Sequence, residues 1–240
     1  MKQKLRNYIR DALLERRLLE RIKHPATFDD IGGMAGLKAW LRSRAKAFAH
    51  EARDYGLPTP KSLFLVGIPG TGKSLAAQAT ASTFGLPLIR LDMARMMEEQ
   101  SVSGCSGLHD ALREAEVASP CVLWIDGIDV GAADKRHVLA SLASWMKHKD
   151  APVFVVATAK EVAPLPHGCL LKRCFNECFF IDIPNRLDRT AIWDLVIERY
   201  GRDKRDFDTV VLARATETWT GAEIEQAFIE ALYLAFADGG

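Results

Sequence analysis

The sequence predicts an α/β fold: five parallel strands sandwiched between helices, with a small helical domain at the C-terminal end. Three observations lead there. Short apolar runs alternate with helical segments from residue 61 to residue 184. The first of these runs opens directly into the glycine-rich stretch "GIPGTGKS", residues 67–74, which a helix-forming stretch follows. After Pro184 no further strand pattern occurs and only helical periodicity remains.

The chain has 240 residues, 48% of them hydrophobic and 26% charged, which is the composition of a folded globular chain and not of a disordered one. Its formal net charge of +1 offers no basic field for nucleic acid. No apolar run is long enough to span a bilayer, and charges scattered through the N-terminus exclude a secretory signal. These features place the expectation in the cytoplasm. An odd number of cysteines, five, agrees with a reducing compartment. Cys169, Cys174 and Cys178 cluster in sequence, but their spacing matches no zinc pattern.

Residues 1–24 read as a basic amphipathic helix, with Leu5, Tyr8, Ile9, Ala12, Leu13, Leu19 and Ile22 at helical spacing, ended by His24-Pro25. Such a helix packs on its own domain or a neighbouring subunit, or docks on a partner or an anionic membrane surface. "ATFDDIGGMAG" follows as a loop, and a second helix covers Leu37 to Tyr55 up to the breaker "GLPTP". The strands are then "KSLFLV" (61–66), "LPLIRLD" (86–92), "CVLWID" (121–126), "APVFVVAT" (151–158) and "ECFFIDIP" (177–184). Helices are expected over 74–84, 108–118 and 135–147, with a polar stretch at 94–107. Residues 25–184 make the α/β core and 185–240 the helical domain, with helices over 186–200, 207–217 and 220–236.

"GIPGTGKS" fits G-x-x-x-x-G-K-[ST] in full. Its glycines let backbone N–H groups turn toward a phosphate chain, and the helix beginning there adds its positive dipole end. Lys73 reaches the terminal phosphates and Ser74 offers its hydroxyl to magnesium. Asp126, at the end of an apolar strand, is the matching carboxylate on the magnesium side. No N-K-x-D sequence for guanine occurs, so ATP is favoured over GTP.

In their order, "FDDIGG", "GIPGTGKS", "WIDGID", "VFVVATA" and "TGAEIEQA" resemble the AAA-type ATPases. The chain is most similar to the AAA proteins first listed as hypothetical chloroplast reading frames, found in cyanobacteria, plastids and other bacteria. That resemblance covers about residues 27–237. It implies that Asp30, Ile31 and Gly32 line the adenine pocket. Gly67, Pro69, Gly70, Thr71, Gly72, Lys73, Ser74 and Leu75 would wrap the phosphates, and Gly221 and Ala222 would close over base and ribose. Family members usually carry a larger N-terminal domain and continue past "ADGG", so the helical domain is expected to be incomplete.

The departures from the family pattern fall on the hydrolytic machinery. The family's catalytic glutamate aligns with Gly127, and its sensor asparagine aligns with Lys160. Its two arginine fingers align with Leu171 and Cys174, leaving Arg173 one position out of place. The pore segment reads "EEQSVSGCSG" and has no aromatic residue. Asp129 is the nearby acid that would stand in for the missing glutamate, and Lys160 would favour holding γ-phosphate charge. The expectation is an ATP-binding protein with weak or absent turnover, a nucleotide switch or an assembly subunit beside a protein partner or an active AAA relative. A stable homohexamer is not expected. An active ATPase that remodels protein complexes is the alternative. A small-molecule kinase would need an acceptor-binding insertion in the sheet, and none is present.

Overall fold

The computed structural model describes residues 18–48, 50–103, 106–130, 136–162 and 174–239. Six strands form one sheet in the order β1-β3-β4-β5-β2-β6. These are β1 (Leu19–Ile22), β2 (Ser62–Val66), β3 (Leu88–Asp92), β4 (Cys121–Asp126), β5 (Val153–Ala159) and β6 (Glu177–Phe180). All neighbours pair in parallel except β1, which runs antiparallel to β3.

Strand β1 corrects the sequence reading. Residues 19–22 were expected to end a helix but form an edge strand, with Leu19 opposite Leu91 and Ile22 opposite Leu88. Leu18 and Leu19 bury their side chains in the core, while Glu20 meets Arg90 at 3.3 Å. Residues 1–17 of the expected N-terminal helix lie outside the described residues. Among the described residues the sheet therefore holds the five expected parallel strands and, in addition, one antiparallel edge strand.

The helices in chain order are α1 (Ala35–Arg44), α2 (His50–Asp54), α3 (Lys73–Phe84), α4 (Met93–Ser103), α5 (Ser106–Val117), α6 (Arg136–His148), α7 (Arg186–Arg199), α8 (Thr209–Ala215) and α9 (Gly221–Ala237). Helix α4 replaces the polar stretch expected at 94–107. Met93, Met96 and Met97 bury one face of it.

Strand side chains alternate between two cores, as period-two geometry requires. Phe64, Val66, Leu123, Ile125, Val155 and Ala157 point to the face covered by α4, α5 and α6. Leu63, Leu65, Val122, Trp124, Phe154 and Val156 point to the face covered by α1 and α3. Both faces are buried, so the central strands read as continuous apolar runs. Helices α7, α8 and α9 build a third cluster from Trp193, Val196, Ile197, Ala213, Ile224 and Phe228. This arrangement sets the C-terminal ends of β2, β4 and β5 side by side, with α7 and α9 leaning over them.

Candidate functional site

A cavity of about 410 Å³ opens at those strand ends. It is lined by Asp30, Ile31 and Gly32 on one side, the loop from Pro69 to Leu75 below, and Gly221 and Ala222 above. Of the residues expected to bind the nucleotide, Gly67 alone is not in the lining. Its carbonyl instead accepts a hydrogen bond from Lys73 Nζ at 2.6 Å. Asp126 and Lys160 also reach the cavity, while Asp129 does not. Leu171 and Arg173 lie outside the described residues.

Strand β2 runs buried into the loop, and helix α3 starts at Lys73, so its first amides face the cavity. Lys73 also donates to the Ile68 carbonyl at 2.6 Å, and Thr71 Oγ1 donates to the same oxygen at 2.9 Å. Burial pushes the Lys73 ammonium below its ordinary value. Asp129 opposes that shift, Lys160 adds to it and Asp126 opposes it. The ammonium thus lies among partners that a phosphate group would displace or reinforce.

The helical cap touches the loop directly. Ala222 N–H donates to the Gly70 carbonyl at 3.2 Å. Gly70 has φ +82°, and a Cβ there would lie 2.8 Å from Thr220 Oγ1, so only glycine permits this approach. Thr220 caps α9 in a reciprocal box with Glu223, which fixes the helix start over the cavity. On the opposite wall Thr27 and Asp30 form a second box, and Thr27 N–H donates to Asp30 Oδ2 at 2.7 Å. That backbone hydrogen bond holds the Asp30 carboxyl below the usual carboxylate range, partly offset by burial.

At the end of β4, Asp126 is already engaged within the protein. Its Oδ2 accepts from Arg90 Nη2 at 2.6 Å and Arg90 Nε at 3.1 Å. Its Oδ1 accepts from Thr158 Oγ1 at 2.9 Å. Magnesium takes hard oxygen ligands, and Ser74 and Asp126 supply that chemistry. Their arrangement nevertheless does not fit the ion as it stands, because a guanidinium holds Oδ2 of that carboxylate and the Thr158 hydroxyl holds Oδ1.

Gly127 follows with φ +72°, the left-handed region. Its carbonyl accepts from Val130 N–H at 2.9 Å, and Ile128 N–H donates to the Thr158 carbonyl at 2.9 Å. These bonds close a tight turn. Asp129 does not line the cavity, and its Oδ2 accepts from the backbone N–H groups of Lys160 at 3.0 Å and Glu161 at 3.3 Å. Its Oδ1 is buried without a hydrogen-bond partner among the described residues.

Sequence reasoning passed over several lining residues. Ile192, Val196 and Arg199 present one face of α7 to the cavity, at a spacing of four and three that helical periodicity makes visible. Arg199 pairs with Glu225 of α9 at 2.9 Å, at the same wall. Arg90 was signalled as well: a lone arginine inside the apolar strand "LIRLD" needs an acidic partner.

A glycine-rich loop cradled between a central parallel strand and a helix, with a strand-end aspartate facing it and a helical cap above, defines a phosphate-loop nucleotide-binding protein. Comparison with known families narrows this further. The chain belongs to the family described as "ATPase family associated with various cellular activities (AAA)", matched over residues 63–183. It is 39% identical over 220 residues to "Uncharacterized AAA domain-containing protein ycf46" of Gracilaria tenuistipitata var. liui, covering 88% of this chain and 45% of that one. It is 42% identical over 217 residues to the protein of the same name from Trieres chinensis, covering 86% of this chain and 44% of the relative. More distantly, it is 29% identical over 237 residues to "ATP-dependent zinc metalloprotease FtsH 3" of Symbiobacterium thermophilum, covering 91% of this chain and 37% of the relative. The chain spans slightly under half the length of the first two relatives. No helix among the described residues is long and apolar enough to cross a membrane.

Proposed function

We propose that the protein binds ATP in this cavity and hydrolyses it slowly or not at all, serving as a nucleotide-held switch or as an assembly subunit beside a protein partner or an active relative. Family membership implies ATP binding. The observation that carries the rest is the geometry after Asp126. Gly127 brings no carboxylate, and the next acid, Asp129, does not line the cavity and has its Oδ2 held by the amides of Lys160 and Glu161.

Magnitudes support a slow reaction. A placed general base contributes roughly 10² to 10⁴ in rate. An arginine finger contributes about 10³ to 10⁵. With Leu171 and Cys174 at the finger positions, both contributions are missing. Lys73 and Lys160 remain to meet phosphate charge, which favours binding over cleavage. Asp126 is paired with Arg90, so magnesium is given no step. Weak self-assembly belongs to the same proposal, since the arginines with which a neighbouring subunit would read the nucleotide are replaced.

The second reading is an active ATPase that remodels protein complexes. The likeness to relatives named as ATP-dependent metalloproteases favours it. Binding of a fluorescent ATP analogue, followed by steady-state phosphate release, separates the two. Binding with negligible release supports the first, and sustained release supports the second.

A further inference from the structure

Arg90 sits where the nucleotide site meets the sheet edge, and nothing in the phosphate-loop chemistry calls for it. We propose that Arg90 is a resident cation at the Asp126 corner, so that the protein holds a nucleoside triphosphate with little help from a divalent metal. This inference rests on the ATP-binding reading above.

The guanidinium is fixed from several sides. Two of its N–H groups converge on Asp126 Oδ2, at 2.6 and 3.1 Å. Its Nη1 lies 3.3 Å from Glu20 on the edge strand, and its Nη2 lies 3.4 Å from Asp92. Its central carbon lies 5.2 Å from the centroid of the Trp124 ring, a cation–π contact. Strand register explains the convergence: Arg90 is opposite Trp124, and Asp92 is opposite Asp126. Burial disfavours the arginine's charge, but the hydrogen bond and charge of Asp126, with Asp92 and Glu20, more than compensate and raise its pKa. Asp92 Oδ1 also accepts from the N–H groups of Ala94 and Arg95 at the start of α4.

A divalent ion at this corner would need a carboxylate oxygen of Asp126 or a water held by it. Oδ2 already takes two charge-assisted hydrogen bonds, which are about twice as strong as neutral ones. Its charge is offset before any ion arrives. Thr158 occupies one lone pair of the other oxygen. Triphosphate charge is met instead by the loop amides, Lys73 and Lys160, which line the same cavity. Arg90 is therefore a positioning residue: it touches Asp126, and it acts on the nucleotide through that carboxylate.

The test measures the dissociation constant of a fluorescent ATP analogue in magnesium chloride and in EDTA, for wild type, Arg90→Gln and Arg90→Lys. Wild type is expected to bind within about threefold of the same affinity in both buffers. Arg90→Gln, which frees Asp126, should prefer magnesium by at least about tenfold, a difference of about 1.4 kcal/mol. Arg90→Lys keeps the charge without the fork and should fall nearer wild type. A merely structural role would lower both affinities and leave their ratio unchanged. Wild-type binding that needs magnesium by tenfold or more on that same scale overturns the inference and leaves the ATP reading standing, and this holds even if the variants fail to fold. An unchanged ratio in folded Arg90→Gln also overturns it. Absence of binding in both buffers overturns the ATP reading and this inference with it.

Discussion

Gly127→Glu restores the carboxylate that the family pattern places after Asp126, and the structure predicts that it fails to restore turnover. Gly127 has φ +72°. A side chain in that region costs about 1–2 kcal/mol through the clash of its Cβ with the following carbonyl. The Cβ would also stand 3.2 Å from Val130 Cγ2 inside a closed turn. For a chain of this length each kcal/mol moves Tm by about 2–4 °C, so a fall of about 2–8 °C is expected. Gly127→Ala should lose a similar amount, since the strain belongs to the backbone and not to the carboxylate. Phosphate release by Gly127→Glu should stay within about threefold of wild type, because groups acting on one transition state are not recovered singly. Adding Lys160→Asn and Cys174→Arg is the change expected to bring a gain. Thermal unfolding and phosphate release are the assays. A rise in turnover of about 10²-fold, the lower bound for a placed base, with no loss of Tm would refute this reasoning.

Lys73→Ala should lose at least about tenfold in affinity for a fluorescent ATP analogue, since its ammonium is the cation within the loop itself; equal binding by both proteins would remove Lys73 from the site. Lys149 gives a pH prediction. Burial, with Lys61 adding to it, pushes its ammonium down to about 8 from 10.5, and its Nζ donates to the Val153 carbonyl. Between those two values the unfolded chain holds a proton that the folded chain has shed, so stability rises as pH climbs from about 8 to 10.5. Urea midpoints across that range should show the rise in wild type and a smaller one in Lys149→Met; identical profiles would contradict it. Light scattering with saturating ATP should find monomers or small oligomers, and an ATP-dependent homohexamer would contradict the weak-assembly proposal.

The central strands were legible because both sheet faces are buried and their sequences are unbroken apolar runs between clear punctuation. The phosphate loop was legible because its spacing is tied to one backbone shape. Strand β1 was not, because Leu19 and Ile22 are three residues apart, which satisfies helical spacing, while in the strand they serve opposite faces of the sheet and leave no alternation to read. Helix α4 carried a usable signal in Met93, Met96 and Met97, masked by the polar residues after them. The Arg90–Asp126 pair joins residues 36 apart in sequence. Only the register of β3 against β4 brings them together, and no local pattern fixes that register. The turn of Asp129 toward the amides of Lys160 and Glu161 depends in the same way on β4 lying beside β5.

The central claim concerns the fate of bound ATP, and a single-turnover experiment addresses it directly. Excess protein is mixed with ATP, the mixture is quenched over a time course, and the nucleotide is identified chromatographically. The nucleotide is expected to be bound and to remain ATP long after a working phosphoryl-transfer enzyme would have finished. Conversion of the bound ATP to ADP at about 1 per second or faster, the range of such enzymes, would contradict it.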